Sequence, residues 1–280
     1  MPIAKVGDIN LCYNIYGKGD PLILIAGIAT AQNMWLPIIH SFSNNYHVVA
    51  FDNRGIGGSD KPAGSYSTRM MANDTVALMD HLRIKKAHIL GGSLGGMIAQ
   101  HIAIDHPQRV NRLILFSTSA GGPPLQNMLL DLAAATTPKW DRSNSSLDGA
   151  DLRKLMAGIA ARSFNAPFNR LVIIPLAILM LKIGITKVPV GQIDAMMTHN
   201  VIDRLNLIQA PTLVLTGSAD RLMPPQSSNV LASKIKEAKL VTVKGGSHAL
   251  AEGMSVRFIK EVLDFLGSVG ANQTASMLLK

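Results

Sequence analysis

The hexapeptide Gly91-Gly92-Ser93-Leu94-Gly95-Gly96 holds a serine with glycine two residues to either side. A serine on a sharp, strained turn needs hydrogen-sized neighbours at those positions, and Gly91 and Gly95 supply them. An apolar run at 87–90 precedes the turn and a helical pattern at 94–105 follows it. In a strand–turn–helix context the G-x-S-x-G spacing points the hydroxyl out of a sheet. The backbone N–H of Leu94 then sits at a helix N-terminus, facing developing negative charge. The alternative is a glycine-rich turn that only tightens strand–helix packing. Phosphate binding fits poorly, because the segment lacks a Gly-Lys-Ser/Thr ending and misses the G-x-G-x-x-G spacing.

A serine hydroxyl is a poor nucleophile until a base takes its proton. Among the eight histidines, His248 follows an apolar strand pattern on the loop Gly245-Gly246-Ser247-His248. Loops at the C-terminal ends of strands are where α/β sheets place reacting groups. His40, His81, His101 and His106 fall in helical patterns or at their ends, His47 and His88 in strands, and His199 in a helical region. Those seven read as structural or surface residues. The base in turn needs an acid to fix its tautomer. Asp220 is the candidate, on a loop one strand before His248, and the order Ser93, Asp220, His248 suits this architecture. Its competing role is to cap a turn or helix ahead of Pro224-Pro225. Asp52 is the rival acid, ranked lower because it can brace its own loop near Arg54. A second oxyanion donor is expected after an early strand. Gly27 allows a tight turn there, and the N–H of Ile28 is the candidate.

These groups need a sheet to position them. Apolar runs at 21–26, 46–51, 87–90, 112–116, 211–216 and 240–243 read as buried strands. Helical spacing appears at 34–42, 70–82, 94–105, 227–235 and 255–266. Residues 1–20 alternate loosely around Gly7-Asp8 and end in Gly17-Lys18-Gly19-Asp20, a β-hairpin pattern. Strands buried on both faces, with helices between them, imply an α/β fold with a mostly parallel sheet and helices on both faces. The alternation lapses over 121–205, where helical stretches occur without a convincing strand. A structureless loop of that length is improbable. The segment is therefore expected to be a helical cap inserted into a core built from 1–120 and 206–280. Its methionines (Met128, Met156, Met180, Met196, Met197) suit either the wall of a greasy pocket or core positions.

Composition narrows the classes. With 280 residues, 48% of them hydrophobic and 16% charged, the chain can bury a sizeable core, and disorder is excluded as its main state. A single cysteine, Cys12, excludes an intrachain disulfide, a Cys-based zinc site and an iron–sulfur cluster. Lack of disulfides fits a reducing compartment. No basic segment followed by an apolar stretch opens the chain, so no signal peptide is expected and the location is read as cytoplasmic. Segment 171–190 is long enough to test as a membrane span. Pro175, Lys182, Gly184, Lys187 and Pro189 interrupt it, so a buried or interface-lying helix is expected, and membrane contact is not predicted. The net charge of +9 is scattered, without basic residues alternating with aromatics. No nucleic-acid partner is expected, and only a weak pull toward anionic surfaces or substrates. The tail 268–280 has little pattern and is expected to fray.

Taken together, these segments resemble the α/β-hydrolase superfamily over nearly the whole chain outside the insertion. The carriers are the oxyanion loop Ala26-Gly27-Ile28-Ala29, the loop Asp52-Asn53-Arg54-Gly55-Ile56-Gly57-Gly58-Ser59-Asp60, which looks like the family's D-x-R-G-x-G-x-S, the turn at Ser93, and the Asp220/His248 pair. The chain looks most like the capped esterase, lactonase and C–C hydrolase group. It departs from that group at Ala26, where His is usual and often orders the loop, and at Ala29, where a second Gly is common. Ser93 argues against relatives with an Asp nucleophile. The expected reaction is hydrolysis of a small-molecule ester, of short to medium acyl or aryl type, through an acyl-enzyme on Ser93, without metal or cofactor. Other chemistries on the same triad are enol-lactone opening, C–C bond hydrolysis, thioester hydrolysis and cofactor-free haloperoxidase or perhydrolase activity. A non-catalytic ligand receptor and a membrane-associated protein are rivals from other classes.

Overall fold

Side chains of a strand alternate between the two faces of its sheet, so an apolar run must be covered twice. A computed structural model of the chain, describing residues 1–136, 149–163, 190–250 and 255–267, has this arrangement. Its strands are β1 (Ile3–Val6), β2 (Ile9–Tyr16), β3 (Asp20–Ile25), β4 (Tyr46–Phe51), β5 (Ala87–Gly92), β6 (Val110–Phe116), β7 (Thr212–Gly217) and β8 (Ala238–Val243). They form one sheet in the order β1-β2-β4-β3-β5-β6-β7-β8. The hairpin β1–β2 and the β2–β4 pair are antiparallel. All other pairs are parallel.

The helices are α1 (Leu36–Ser43), α2 (Thr68–His81), α3 (Leu94–Asp105), α4 (Pro123–Thr136), α5 (Gly149–Ser163), α6 (Val190–Thr198), α7 (Pro225–Lys234) and α8 (Ser255–Leu266). Each strand and helix pattern legible in the sequence becomes an element, with one division. The pattern at 34–42 begins as a 3-10 turn over Gln32–Trp35 and continues as α1. Pro37 explains the break, since proline is accommodated in the first turn of a helix and not in its interior.

Residues of opposite parity in each strand supply two separate cores. Ile23, Ile25, Val49, Phe51, Ile89, Leu113, Leu115 and Val214 join α2, α3 and α7 on one face. Leu22, Leu24, Val48, Ala50, Leu90, Ile114, Phe116, Leu213 and Leu215 join α1 and α8 on the other. Helix α8 shows why such a segment folds: Phe258, Ile259, Val262, Leu263 and Leu266 form one buried stripe. Each such side chain contributes about 1.5–3 kcal/mol on burial.

Between β6 and β7 the chain leaves the sheet for a helical insertion. Its ends are cinched by an antiparallel bridge between Gly121 and Asn200. Hydrogen bonds from Gly122 N to His199 O and from Val201 N to Ala120 O, both 2.9 Å, flank that bridge. Leu125, Leu129, Leu132, Met156, Ile159, Ile193 and Met196 are buried and continuous with the α2/α3 core. Met156 and Met196 are therefore core positions, and Met128 and Met197 lie partly buried against that core. Met180, the stretch 171–189 and the tail 268–280 lie outside the described residues. Among the described residues no helix is long and apolar enough to cross a membrane.

Candidate active site

Strand order reverses at β3, which has β4 on one side and β5 on the other. In open α/β sheets, the crevice beyond the carboxyl ends of strands at such a reversal is the usual ligand site. The loop after β3 carries Gly27 and Ile28, and the turn after β5 carries Ser93.

Ser93 has φ 52° and ψ −121°, a sparsely populated conformation that costs about 1–3 kcal/mol. Its backbone is fully engaged. The N–H donates to Phe116 O at 3.1 Å, and the carbonyl accepts from Gly96 N at 3.0 Å and Met97 N at 3.2 Å. Thr118 Oγ1 donates to the same carbonyl at 2.7 Å. The hydroxyl sits at the N-cap of α3 without capping it, although serine there ordinarily does so. That leaves the side chain for chemistry. The flanking glycines meet a demand for space. A methyl group on Gly91 would stand 2.3 Å from Gly95 O, and one on Gly95 would stand 2.1 Å from Ile25 O. Backbone of β5, α3 and β3 thus meets directly beneath Ser93. Gly27 lies against the Ser93 turn, since a methyl on it would stand 3.4 Å from Ser93 Cβ. Among the described residues neither the Ile28 amide nor the Leu94 amide has a hydrogen-bond acceptor.

Asp220 and His248 come together from the loops after β7 and β8. His248 Nδ1 lies 3.0 Å from Asp220 Oδ2, with side-chain exposures of 10% and 0%. Asp220 Oδ1 accepts from the amides of Leu222 at 2.9 Å and Met223 at 2.7 Å. The turn-capping role and the histidine contact therefore coexist, one on each oxygen of a single carboxylate. The two loops touch backbone to backbone: Ala219 N donates to Gly246 O at 2.9 Å. Ala249 N donates to Ser163 O of α5 at 3.1 Å, which ties the His248 loop to the insertion. With Nδ1 directed at Asp220, Nε2 is the ring nitrogen left for a second partner. Among the described residues no hydrogen bond joins His248 to the Ser93 hydroxyl.

Asp52 is not in the acid's place. Its Oδ1 accepts from Gln32 N at 2.7 Å and its Oδ2 from Gly58 N at 2.8 Å, so it braces the loop after β4. Arg54 pairs with Asp74 of α2, through Nε–Oδ2 at 2.5 Å and Nη2–Oδ1 at 2.6 Å. Burial pushes the Cys12 thiol up, and Asp52 adds to the effect. A different histidine pair is buried where the end of the insertion meets α3. The rings of His101 and His199 meet edge to face at 5.5 Å, and His199 Nδ1 lies 2.9 Å from Thr68 Oγ1. Burial, with His101 nearby, holds the His199 pKa down at about 3, and burial also lowers that of His101.

Two residues without a motif-derived role hold the loop after β3. Asn53 Nδ2 donates to Ala26 O at 3.1 Å. The Ala29 amide donates to Gln192 Oε1 of α6 at 3.0 Å, while Gln192 Nε2 donates to Arg54 O at 2.9 Å. The only sequence signal for Gln192 is an amide within a largely apolar helical stretch.

Residues 20–253 match the family model described as the alpha/beta hydrolase fold, and the chain belongs to that family. Over nearly its full length it resembles an Azorhizobium caulinodans protein provisionally named carbamate hydrolase RutD. That match is 25% identical and spans 96% of this chain and 99% of that protein. Among solved structures it is similar to the enol-lactonase of Burkholderia xenovorans LB400, with a TM-score of 0.79 and 26% identity over 95% of this chain and 100% of that one. It is also similar to Est816, described as an N-acyl homoserine lactone degrading enzyme. There the TM-score is 0.81, with 28% identity over 94% of this chain and 100% of that one.

Proposed function

We propose that the protein is a serine hydrolase that cleaves carboxylic esters of short to medium acyl or aryl type. His248 takes the proton of Ser93 as its hydroxyl oxygen attacks the ester carbonyl. The amides of Ile28 and Leu94 receive the oxyanion, and Asp220 steadies the imidazolium. His248 returns the proton to the leaving alcohol, which leaves an acyl group on Ser93. Water then attacks the acyl carbonyl as it gives a proton to His248, and His248 returns that proton to the Ser93 oxygen as the acyl–Ser93 bond breaks and the acid departs. Residues 121–205 act in this reading as a lid over the crevice.

The observation that carries the reading is the buried 3.0 Å contact between Asp220 and His248. A buried carboxylate on Nδ1 of a loop histidine leaves Nε2 as the proton acceptor. The uncommitted hydroxyl at the strained Ser93 turn supports it from the other side. Contacts between nucleophile and base are often long before substrate binds. Lactone opening is the second reading, favoured by the likeness to the enol-lactonase and to Est816. A lactone is a cyclic ester, so the same steps apply and the leaving alcohol stays attached.

The test is hydrolysis of p-nitrophenyl esters of increasing chain length, alongside simple lactones, by wild type and Ser93→Ala. Wild type is expected to turn over the shorter esters. The variant is expected to keep no more than the ~10³–10⁴-fold advantage over water that oxyanion hole and binding can leave. Activity in the variant close to wild type overturns the assignment of Ser93. A wild type inert on every ester but active on lactones selects the second reading.

A further inference from the structure

The loop that presents the Ile28 amide belongs to no strand or helix. Ala29 within it lies at φ +57°, a left-handed conformation that alanine keeps only where its surroundings hold it. Ala26, at the loop's start, has no polar side chain with which to brace it. The brace comes from the insertion. Gln192 of α6 is wholly buried, accepts from the Ala29 amide at 3.0 Å, and donates to Arg54 O at 2.9 Å. Arg54 is itself anchored by its pair with Asp74. The seat is shaped for this contact. Tyr66 lies against Gly191, where a methyl group would approach its ring to 2.6 Å, and against Gly55, where one would approach to 3.0 Å. The Tyr66 hydroxyl donates to Pro62 O at 2.6 Å. A glutamine one residue after Gly191 can therefore reach two loops at once.

We infer that Gln192 is a positioning residue for the reaction: seated between the Ala29 amide and the Arg54 carbonyl, it locks the loop that aims the Ile28 amide at the oxyanion. The oxyanion hole is then complete only while α6 of the insertion is docked. Gln192 touches no reacting atom and acts through Ile28. This inference rests on the ester-hydrolase reading of Ser93. An oxyanion donor works only when it is held within hydrogen-bond range of the developing charge, so a small shift of the loop acts on the transition state more than on substrate binding.

The experiment compares full-length wild type with Gln192→Met, which is similar in length but lacks both hydrogen bonds, and with Gln192→Glu, which keeps only the acceptor for Ala29. Four quantities are read: kcat and KM on the best p-nitrophenyl ester, inhibition by phenylboronic acid (which forms a tetrahedral anion on the serine), and amide hydrogen exchange of peptides covering 26–31. Gln192→Met is expected to lower kcat by about 10–100-fold, part of the loss seen when a whole oxyanion donor is removed. KM stays close to wild type, boronate inhibition weakens by a similar factor, and the 26–31 amides exchange faster. Gln192→Glu is expected to lose less on each measure. Unchanged kcat and boronate affinity in a folded Gln192→Met overturn the inference, as does unchanged exchange. Should Gln192→Met fail to fold, Gln192→Glu decides: lowered kcat at constant KM with faster exchange supports the lock, and wild-type values overturn it. A wild type inert on all esters refutes the ester reading instead. In that case exchange alone decides whether Gln192 holds the loop.

Discussion

At Asp220 one carboxylate does two jobs, and the choice of substitution separates them. Oδ1 holds the amides of Leu222 and Met223, while Oδ2 meets His248. Asparagine keeps an oxygen for the amides but offers His248 an NH₂ in place of an acceptor, so the ring is driven to the wrong tautomer. Asp220→Asn is expected to lower kcat by about 10⁴-fold with little change in melting temperature. Ester kinetics beside a thermal melt check this. Ser93 is the complementary case. Its backbone is bonded on every side and its hydroxyl is not used as a cap, so Ser93→Ala is expected to abolish the proposed reaction while costing little structure.

Among the elements, α3 is held by contact too close for side chains. Gly95 presses on the carbonyl of Ile25, and a Cβ there would stand 2.1 Å from that oxygen. Gly95→Ala must push α3 away from β3, and overpacking of this kind destabilises by roughly 1–3 kcal/mol or more. Urea unfolding is the measurement, and a midpoint unchanged from wild type would contradict the packing described. Helix α2 is coupled to the loop after β4 by the Arg54–Asp74 pair, whose side chains are 5% and 10% exposed. Removing Asp74 leaves the buried Arg54 only a long 3.5 Å contact with the exposed Asp8. Asp74→Ala is therefore expected to lose about 3–5 kcal/mol, read from the same unfolding curves. Replacing both partners with apolar residues should be far milder, because it is the unpaired charge that is costly.

Across the whole molecule, the buried His101–His199 pair links pH to stability. The folded-state pKa of His199 is held at about 3 by burial, well below the ordinary value of about 6.5 that it regains on unfolding. The unfolded chain thus binds more protons than the folded one between those values. Stability contributed by the neutral ring is present above pH ~6.5 and is lost as pH falls toward 3, with a slope approaching ~1.4 kcal/mol per pH unit. His101, lowered in the same direction, adds to it. Melting temperatures recorded from neutral pH down to pH ~4 should fall, and His199→Gln should flatten the decline. Because His199 adjoins the bridge that cinches the insertion, proteolysis within the insertion is expected to rise at acidic pH before global unfolding does.

Local patterns determined the strands, helices, the strained turn at Ser93 and the hairpin, because each rests on period, glycine spacing or turn chemistry within a few residues. The apolar run before Ser93 and the glycines around it are of this kind, and so is the loop position of His248. Tertiary structure completed one matter that chain order already favoured and alone decided two more. Asp220 rather than Asp52 faces the histidine, because β7 and β8 are neighbours while the Asp52 carboxylate is consumed by the amides of Gln32 and Gly58. Met156 and Met196 proved to be core residues, since composition cannot tell a pocket wall from a packed interior. Gln192 meets Ala29 across 163 positions of sequence. A contact of that span leaves no period or motif behind, and only the folded chain brings its two ends together.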